Sequence, residues 1–376
     1  MIGRLQEQRI LEWINKGKAI VLMGPRQVGK TTLIRKISSE LKQTVLWLTG
    51  DDPATRMLLE NISLARLQSV IGENRVVVID EAQRLTNAGW TLKLITDHFP
   101  DVQLLVTGSS SLDLAAQTKE SLVGRKFEYP LFSLSFEEMC THHGFLQEYA
   151  LLEQRLIYGY YPEVVTQDTG RAEKTLYDLS DGLMYKDLLT LDQIKKPSLL
   201  VKLLQALALQ VGSEVSYHEV AQLIGADPAT VERYIDLLEQ TFVLYRLPSL
   251  SRNVRNEIKK GRKVYFYDNG IRNAIIKNFN PLALRQDIGA LWENFLITER
   301  MKRNVYWNSH CNTYFWRTTS QQEIDYIEEY GGKLNAFEFK WRTDARERFP
   351  KSFLENYPDS ETLLINRENF EGFLLK

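Results

Sequence analysis

The sequence predicts an α/β chain whose first third is a parallel sheet with helices on both faces. Three observations point there. Five short apolar runs (Ala19–Met23, Val45–Leu48, Val76–Ile79, Leu104–Thr107 and Phe127–Phe132) alternate with helical stretches, which is the rhythm of buried parallel strands. A glycine-bearing octapeptide, Gly24–Thr31, follows the first run and opens a helical stretch, Thr31–Leu41. The third run ends in two acids, Asp80-Glu81.

The chain has 376 residues, enough for two or three domains. Lys plus Arg (47) balances Asp plus Glu (48), so overall charge selects no partner and any nucleic-acid contact must come from a local patch. The two cysteines, Cys140 and Cys311, are too few for a disulfide framework or a cysteine zinc site and read as ordinary thiols. No basic flank precedes an apolar run at the N-terminus, and no apolar stretch reaches the ~20 residues that cross a bilayer. These features lead us to expect a cytoplasmic protein without a membrane partner.

Gly24-Pro25-Arg26-Gln27-Val28-Gly29-Lys30-Thr31 is a complete Walker A pattern, with Thr32 beside it. The chemistry calls for these residue types. Glycines let backbone N–H groups curl around phosphates, and the following helix N-terminus adds positive partial charge. Lys30 is expected on the β and γ phosphates and the Thr31 hydroxyl on Mg²⁺. Val76–Ile79 should deliver Asp80 and Glu81 at the carboxyl edge of the sheet, where α/β folds bind ligands. Asp80 is suited to hold the metal and Glu81 to polarise the attacking water, making Lys30 and Glu81 catalytic candidates. The fourth run ends in Thr107-Gly108-Ser109-Ser110, and Ser109 is the expected contact to the γ phosphate or to water. Arg125 is a candidate arginine finger, which would act across the boundary of a homo-oligomer. ATP and Mg²⁺ are the expected ligands. A small-molecule kinase also uses such a loop, but adjacent Asp80-Glu81 favours activating water.

Beyond the core, Ser135 and Glu138 make a capping box that starts a helical region. Leu199–Val211, Tyr217–Ile224 and Ala229–Leu238 are helical, the last two joined by a Gly225–Pro228 turn, and the strand-like Phe242–Leu247 follows. Arg246, Arg252, Arg255, Lys259, Lys260, Arg262 and Lys263 face one acid, Glu257, as a candidate clamp on DNA phosphates. The helix before them carries Glu232 and Asp236, which is poor for reading a groove. Later, Val264–Asp268, Tyr314–Arg317, Glu323–Glu328, Leu334–Phe339 and Leu363–Ile365 are strand-like, Leu282–Arg303 is helical, and Gly331-Gly332 is a hairpin turn.

Together Gly24–Thr31, Val76–Glu81, Thr107–Ser110 and Gly124-Arg125 resemble a prokaryotic AAA-type P-loop ATPase. Tyr158-Gly159-Tyr160-Tyr161-Pro162 resembles that group's Gly-x-x-Pro segment, with Tyr160 where a second Gly is frequent. Lys263–Gly270 resembles its Lys-x-Tyr-Phe-x-Asp-x-Gly signature. The resemblance covers nearly the whole chain. It implies an AAA-type core over 1–135, a helical lid over 136–197, a winged helix with a basic wing over 198–263, and a restriction-endonuclease-like domain over 264–376. Asp325, followed across the hairpin by Glu338-x-Lys340, has the order of the PD-(D/E)xK nuclease site, and Glu293 offers a further carboxylate. Two carboxylates would hold Mg²⁺ against a scissile phosphate while the lysine steadies the hydroxide. Fold does not fix function, so three roles stay open. They are an ATP-driven switch or remodeller on nucleic acid, an ATP-dependent DNA nuclease in defence or repair, and a regulatory or signalling ATPase with a protein-binding C-terminal module.

Overall fold

The computed structural model describes residues 2–108, 122–183, 196–251, 261–346 and 348–376. Ser109, Arg252, Arg255, Lys259 and Lys260 lie outside them. The chain divides into two compact units, Met1–Ser133 with Gln240–Phe242, and Leu134–Glu239 with Val243–Lys376.

The first unit is built on five strands: β1 (Ala19–Met23), β2 (Val45–Thr49), β3 (Val76–Asp80), β4 (Gln103–Gly108) and β5 (Lys126–Pro130). They form one sheet in the order β2-β3-β4-β1-β5, with every pair parallel. Every residue of β1, β3 and β4 is buried, which is why those strands read as continuous rather than alternating apolar runs. Register places Thr49 beside Asp80 and Met23 beside Gly108. Ladder bonds continue past the strand ends, from Gly50 N to the Asp80 carbonyl (2.8 Å) and from Gly24 N to the Gly108 carbonyl (3.3 Å). The sheet edge therefore gathers the carboxyl ends of β1, β2, β3 and β4.

The second unit opens with the helix Phe136–His143, whose Ser135–Glu138 capping box forms as expected. Further on, β6 (Glu214–Val215), β7 (Leu244–Pro248) and β8 (Arg262–Phe266) make an antiparallel sheet in the order β6-β8-β7. The helices Tyr217–Ile224 and Pro228–Gln240 lie between its first two strands in sequence, with Asp227 accepting from Thr230 N (2.8 Å) at the second helix start. β8 runs across position 263, the expected domain boundary. A four-stranded sheet follows, with β9 (Asn312–Arg317), β10 (Glu323–Tyr330) and β11 (Lys333–Phe339) antiparallel and β12 (Glu361–Ile365) parallel to β11. The long helix Ile288–Tyr306 precedes it.

The two late motifs of the resemblance form one joint. The Asp268 carboxylate accepts from Gly270 N (2.9 Å) and Ile271 N (3.3 Å), capping the helix Asn269–Ile275, and also from Tyr160 N (2.8 Å). A Cβ on Gly159 would lie 2.0 Å from Asp268 Oδ1, and one on Gly270 would lie 2.2 Å from the Tyr158 carbonyl. Close approach explains both glycines, and the Asp is a structural clasp rather than a catalytic group. Among the described residues, no helix is long and apolar enough to cross a membrane.

Candidate functional site

The loop Gly24–Gly29 leaves the carboxyl end of β1 and enters the helix Lys30–Glu40. A cavity of about 380 Å³ opens above it. It is lined by Arg26, Gln27, Gly29, Lys30, Thr31 and Thr32 from the loop and helix after β1, and by Asp51, Glu81 and Arg84 from beyond the ends of β2 and β3. This volume falls in the range of small-ligand sites.

Lys30 is buried and its ammonium donates to the Gly24 (2.9 Å) and Pro25 (2.6 Å) carbonyls, so it is anchored within the loop it serves. The Thr31 hydroxyl sits 3.0 and 3.1 Å from the two Asp80 carboxylate oxygens. Asp80 is buried and also accepts a short hydrogen bond from the Thr107 hydroxyl. Among the described residues it has hydroxyl partners and no Lys or Arg. A buried carboxylate next to a threonine hydroxyl is a donor set for a hard divalent cation. Mg²⁺ keeps waters and phosphate oxygens and takes few protein ligands. Among the described residues, no three His, Cys, Asp or Glu side chains gather into a metal site.

Glu81 follows Asp80 in a left-handed conformation (φ 51°), which turns its side chain into the cavity. Its N–H donates to the Thr107 hydroxyl (3.0 Å) and its carboxylate accepts from the Gln83 amide (2.5 Å). Thr107 on β4 thus meets the acidic pair, while the expected Ser109 lies outside the described residues. Asp51 was not legible in the sequence because its approach depends on β2 lying beside β3, and Gln83 and Arg84 were not because the short turn after Glu81 carries no motif. Arg125 is absent from the cavity lining and instead pairs closely with Asp97.

The late carboxylates converge in the second unit. The Gly331-Gly332 hairpin pairs β10 with β11, and the β9–β10 register shifts between Ile324 and Ile327, the stretch that holds Asp325. Phe339 N donates to Asp325 Oδ2 (2.9 Å), and the Lys340 ammonium lies 3.0 Å from Glu338 and 3.9 Å from Asp325. The sequence missed the group at the centre. Lys263 is 1% exposed and sits 3.0 Å from Glu293, 2.5 Å from Glu323 and 3.9 Å from Asp325. Burial pulls its ammonium down, but Glu293, Asp325 and Glu323 outweigh that and hold it above the usual lysine range. Burial first, then the Asp325 charge, raises the Glu293 and Glu338 carboxyls to about 7. Tyr265 donates to Glu293 at 2.6 Å.

Lys263 therefore corrects the basic-clamp expectation, because a buried, triply paired ammonium has no access to DNA. Arg246 is likewise engaged by Asp236 and Glu239, and Arg262 lines a cavity shared with Glu214, Glu219 and Glu232. The two cysteines are free, and burial pushes the Cys140 thiol to about 12, far from thiolate chemistry.

Residues 16–140 match an AAA domain profile. Residues 149–282 and 288–371 match two profiles, each described as a domain of unknown function (DUF8612 and DUF4143). An uncharacterized Mycobacterium tuberculosis protein is 26% identical over 339 residues, covering 88% of this chain and 72% of the relative. An uncharacterized Methanocaldococcus jannaschii protein is 22% identical over 386 residues, covering 95% and 83%. Among solved structures, a Thermotoga maritima RuvB mutant overlaps at a TM-score of 0.35 and 17% identity, covering 69% of this chain and 96% of that one. The parallel five-stranded core and the matched profile agree on an AAA-type P-loop domain in the first third of the chain.

Proposed function

We propose that the chain is a Mg²⁺-dependent ATPase of the AAA type that works as a switch on nucleic acid. The observation that carries this is the meeting of Lys30, Thr31 and Glu81 on one cavity of small-ligand size, with Asp80 hydrogen-bonded to Thr31. Loop amides and Lys30 hold the β and γ phosphates, while Thr31 and Asp80 would hold Mg²⁺, which when bound draws charge from the phosphates. Glu81 accepts the proton of the attacking water as its oxygen bonds to the γ phosphorus and the bridging oxygen leaves with ADP. The test is ATP hydrolysis by wild type and Glu81→Gln, with and without DNA. Wild-type turnover that DNA stimulates and Glu81→Gln removes supports the whole reading. Turnover indifferent to DNA, with no DNA shift at low salt, moves the role to a protein-directed regulatory ATPase.

A second reading rests on Asp325, Glu338 and Lys340. Two adjacent carboxylates with a lysine at 3.0 Å fit a metal that also takes phosphate oxygens, so Asp325 and Glu338 would hold Mg²⁺ and Lys340 would steady an attacking hydroxide. Glu293 is already occupied by Lys263 and Tyr265. In this reading the winged-helix-like segment and the C-terminal module engage DNA, and Mg²⁺-dependent cleavage disappears in Glu338→Ala.

A further inference from the structure

We propose that Arg84 is the cation that recognises the γ phosphate and stabilises charge on it during transfer, supplied by the chain's own nucleotide-binding unit. This inference rests on the reading of the cavity as an ATP-hydrolysing site. The role calls for a guanidinium that lines the same cavity as the loop that grips the phosphates and is free to change partners.

Arg84 meets each requirement. It ends the one-turn helix Ala82–Arg84, which starts directly after Glu81, and its N–H donates to the Glu81 carbonyl at 3.0 Å. Glu81 has a left-handed backbone, and Glu81 and Arg84 line the same cavity as Lys30 and Thr31. This turn is docked tightly on the end of β2. A Cβ on Gly50 would lie 2.4 Å from the Glu81 carbonyl oxygen and 3.1 Å from Arg84 Cβ. Glycine at 50 is what lets the turn approach, and the approach fixes where the arginine starts.

The guanidinium is committed only loosely. Among the described residues its side-chain partner is Asp51, at 2.9 Å, with the two side chains 43% and 57% exposed. An exposed pair of this kind contributes little. A phosphate offers a guanidinium fork two oxygens and a stronger charge-assisted bond. Asp51 also lines the cavity, so it holds the arginine beside the phosphate position until a triphosphate arrives. Arg125, the candidate that the sequence favoured, pairs with Asp97 outside this lining, so it could serve only a neighbouring chain's cavity.

In the transfer step, the water oxygen bonds to the γ phosphorus, its proton passes to the Glu81 carboxylate, and the bond from phosphorus to the bridging oxygen breaks to release ADP. Arg84 donates N–H groups to the γ oxygens throughout and neither gains nor loses a proton. A group that meets only the γ phosphate distinguishes ATP from ADP as well as speeding the step.

The experiment measures hydrolysis and the binding of fluorescent ATP and ADP analogues, with Mg²⁺, on the full chain carrying Arg84→Ala, Arg84→Lys or Asp51→Asn. Arg84→Ala is expected to lose on the order of 10²-fold or more in kcat. It should bind ADP as wild type does and lose the preference for ATP. Arg84→Lys keeps charge without the fork and should fall between the two. Asp51→Asn frees the arginine, so its ATP affinity should equal or exceed that of wild type. The proposal is overturned if Arg84→Ala turns over at the wild-type rate. It is also overturned if Asp51→Asn loses as much activity as Arg84→Ala, since the pair would then be structural. A wild-type chain that binds no ATP would instead defeat the functional reading on which this rests.

Discussion

The nucleotide cavity and the late carboxylate cluster both set acids at strand ends, yet they neutralise them in opposite ways. Asp80 is met by the hydroxyls of Thr31 and Thr107, and no protein cation among the described residues pairs with it. Glu293, Glu323, Asp325 and Glu338 instead gather round the ammoniums of Lys263 and Lys340. The first site leaves negative charge for an arriving metal to balance. The second carries its own counter-charge. Changes to the first should therefore register mainly in chemistry, and changes to the second mainly in stability.

The largest expected effect lies in the first site. Glu81→Gln should lower kcat by about 10²–10⁴-fold, the usual worth of a general base. Nucleotide binding should be retained, because Lys30 and the loop amides are untouched. Turnover and analogue binding measured on the same sample decide it, and wild-type turnover in this variant would remove the proposed division between the sites.

Next comes Lys263→Met. The substitution keeps most of the side-chain volume but takes the buried ammonium away from Glu293 and the partly exposed Glu323. Removing one partner of a buried pair costs about 3–5 kcal/mol, read as a lower urea midpoint. Glu293→Gln in the same background should recover part of the loss. A Lys263→Met chain as stable as wild type would mean that the cluster is not held by its own charges.

The pH response sharpens the same contrast. The Glu293 and Glu338 carboxyls stand near 7 in the folded chain against an ordinary 4.5. Between those values the native state retains protons that the unfolded chain has released, so stability falls as pH rises through that window and levels off above it. Each fully retained proton gives a slope of about 1.4 kcal/mol per pH unit, and the two acids titrate as a coupled set. Urea midpoints in metal-free buffer from pH 4.5 to 7.5 should decline in wild type and decline less steeply in Glu338→Gln. An unchanged slope in the variant would place the effect elsewhere.

What the sequence disclosed follows the same division. Asp80 and Glu81 were legible because they end the buried apolar run of β3, and Lys30 and Thr31 because the glycine loop after β1 leads into their helix. Their chemistry is also local to two short motifs. The β10–β11 hairpin was legible from Gly331-Gly332, which placed Asp325 ahead of Glu338 and Lys340. Thr107 and Asp51 were not, because their relevance comes from the β2-β3-β4 order, and sheet order leaves no mark on a linear pattern. Arg84 was not, because the short turn after Glu81 carries no motif. Lys263 misled most. Its neighbours Lys259, Lys260 and Arg262 give it a basic context in sequence, but it lies on β8, with Glu293 and Glu323 reaching it from a helix and a strand that come later in the chain. Charge runs describe surfaces only where the backbone keeps them outside.

The smallest expected effect concerns Arg125. Its pair with Asp97 is exposed, the arginine side chain by 45% and the aspartate by 28%. Such pairs contribute about 0–1 kcal/mol. Arg125→Ala should therefore leave the urea midpoint nearly unchanged, and Arg84→Ala should depress hydrolysis far more. Concentration makes the comparison decisive. An arginine acting across a subunit boundary affects turnover only where chains assemble, whereas one on the cavity's own lip acts at any dilution. If Arg125→Ala abolishes turnover at high protein concentration and wild-type specific activity falls on dilution, the finger is delivered in trans and Arg84 loses its assigned role. Wild-type specific activity that is flat on dilution, with Arg125→Ala still active, leaves the γ phosphate to a residue three positions beyond Glu81.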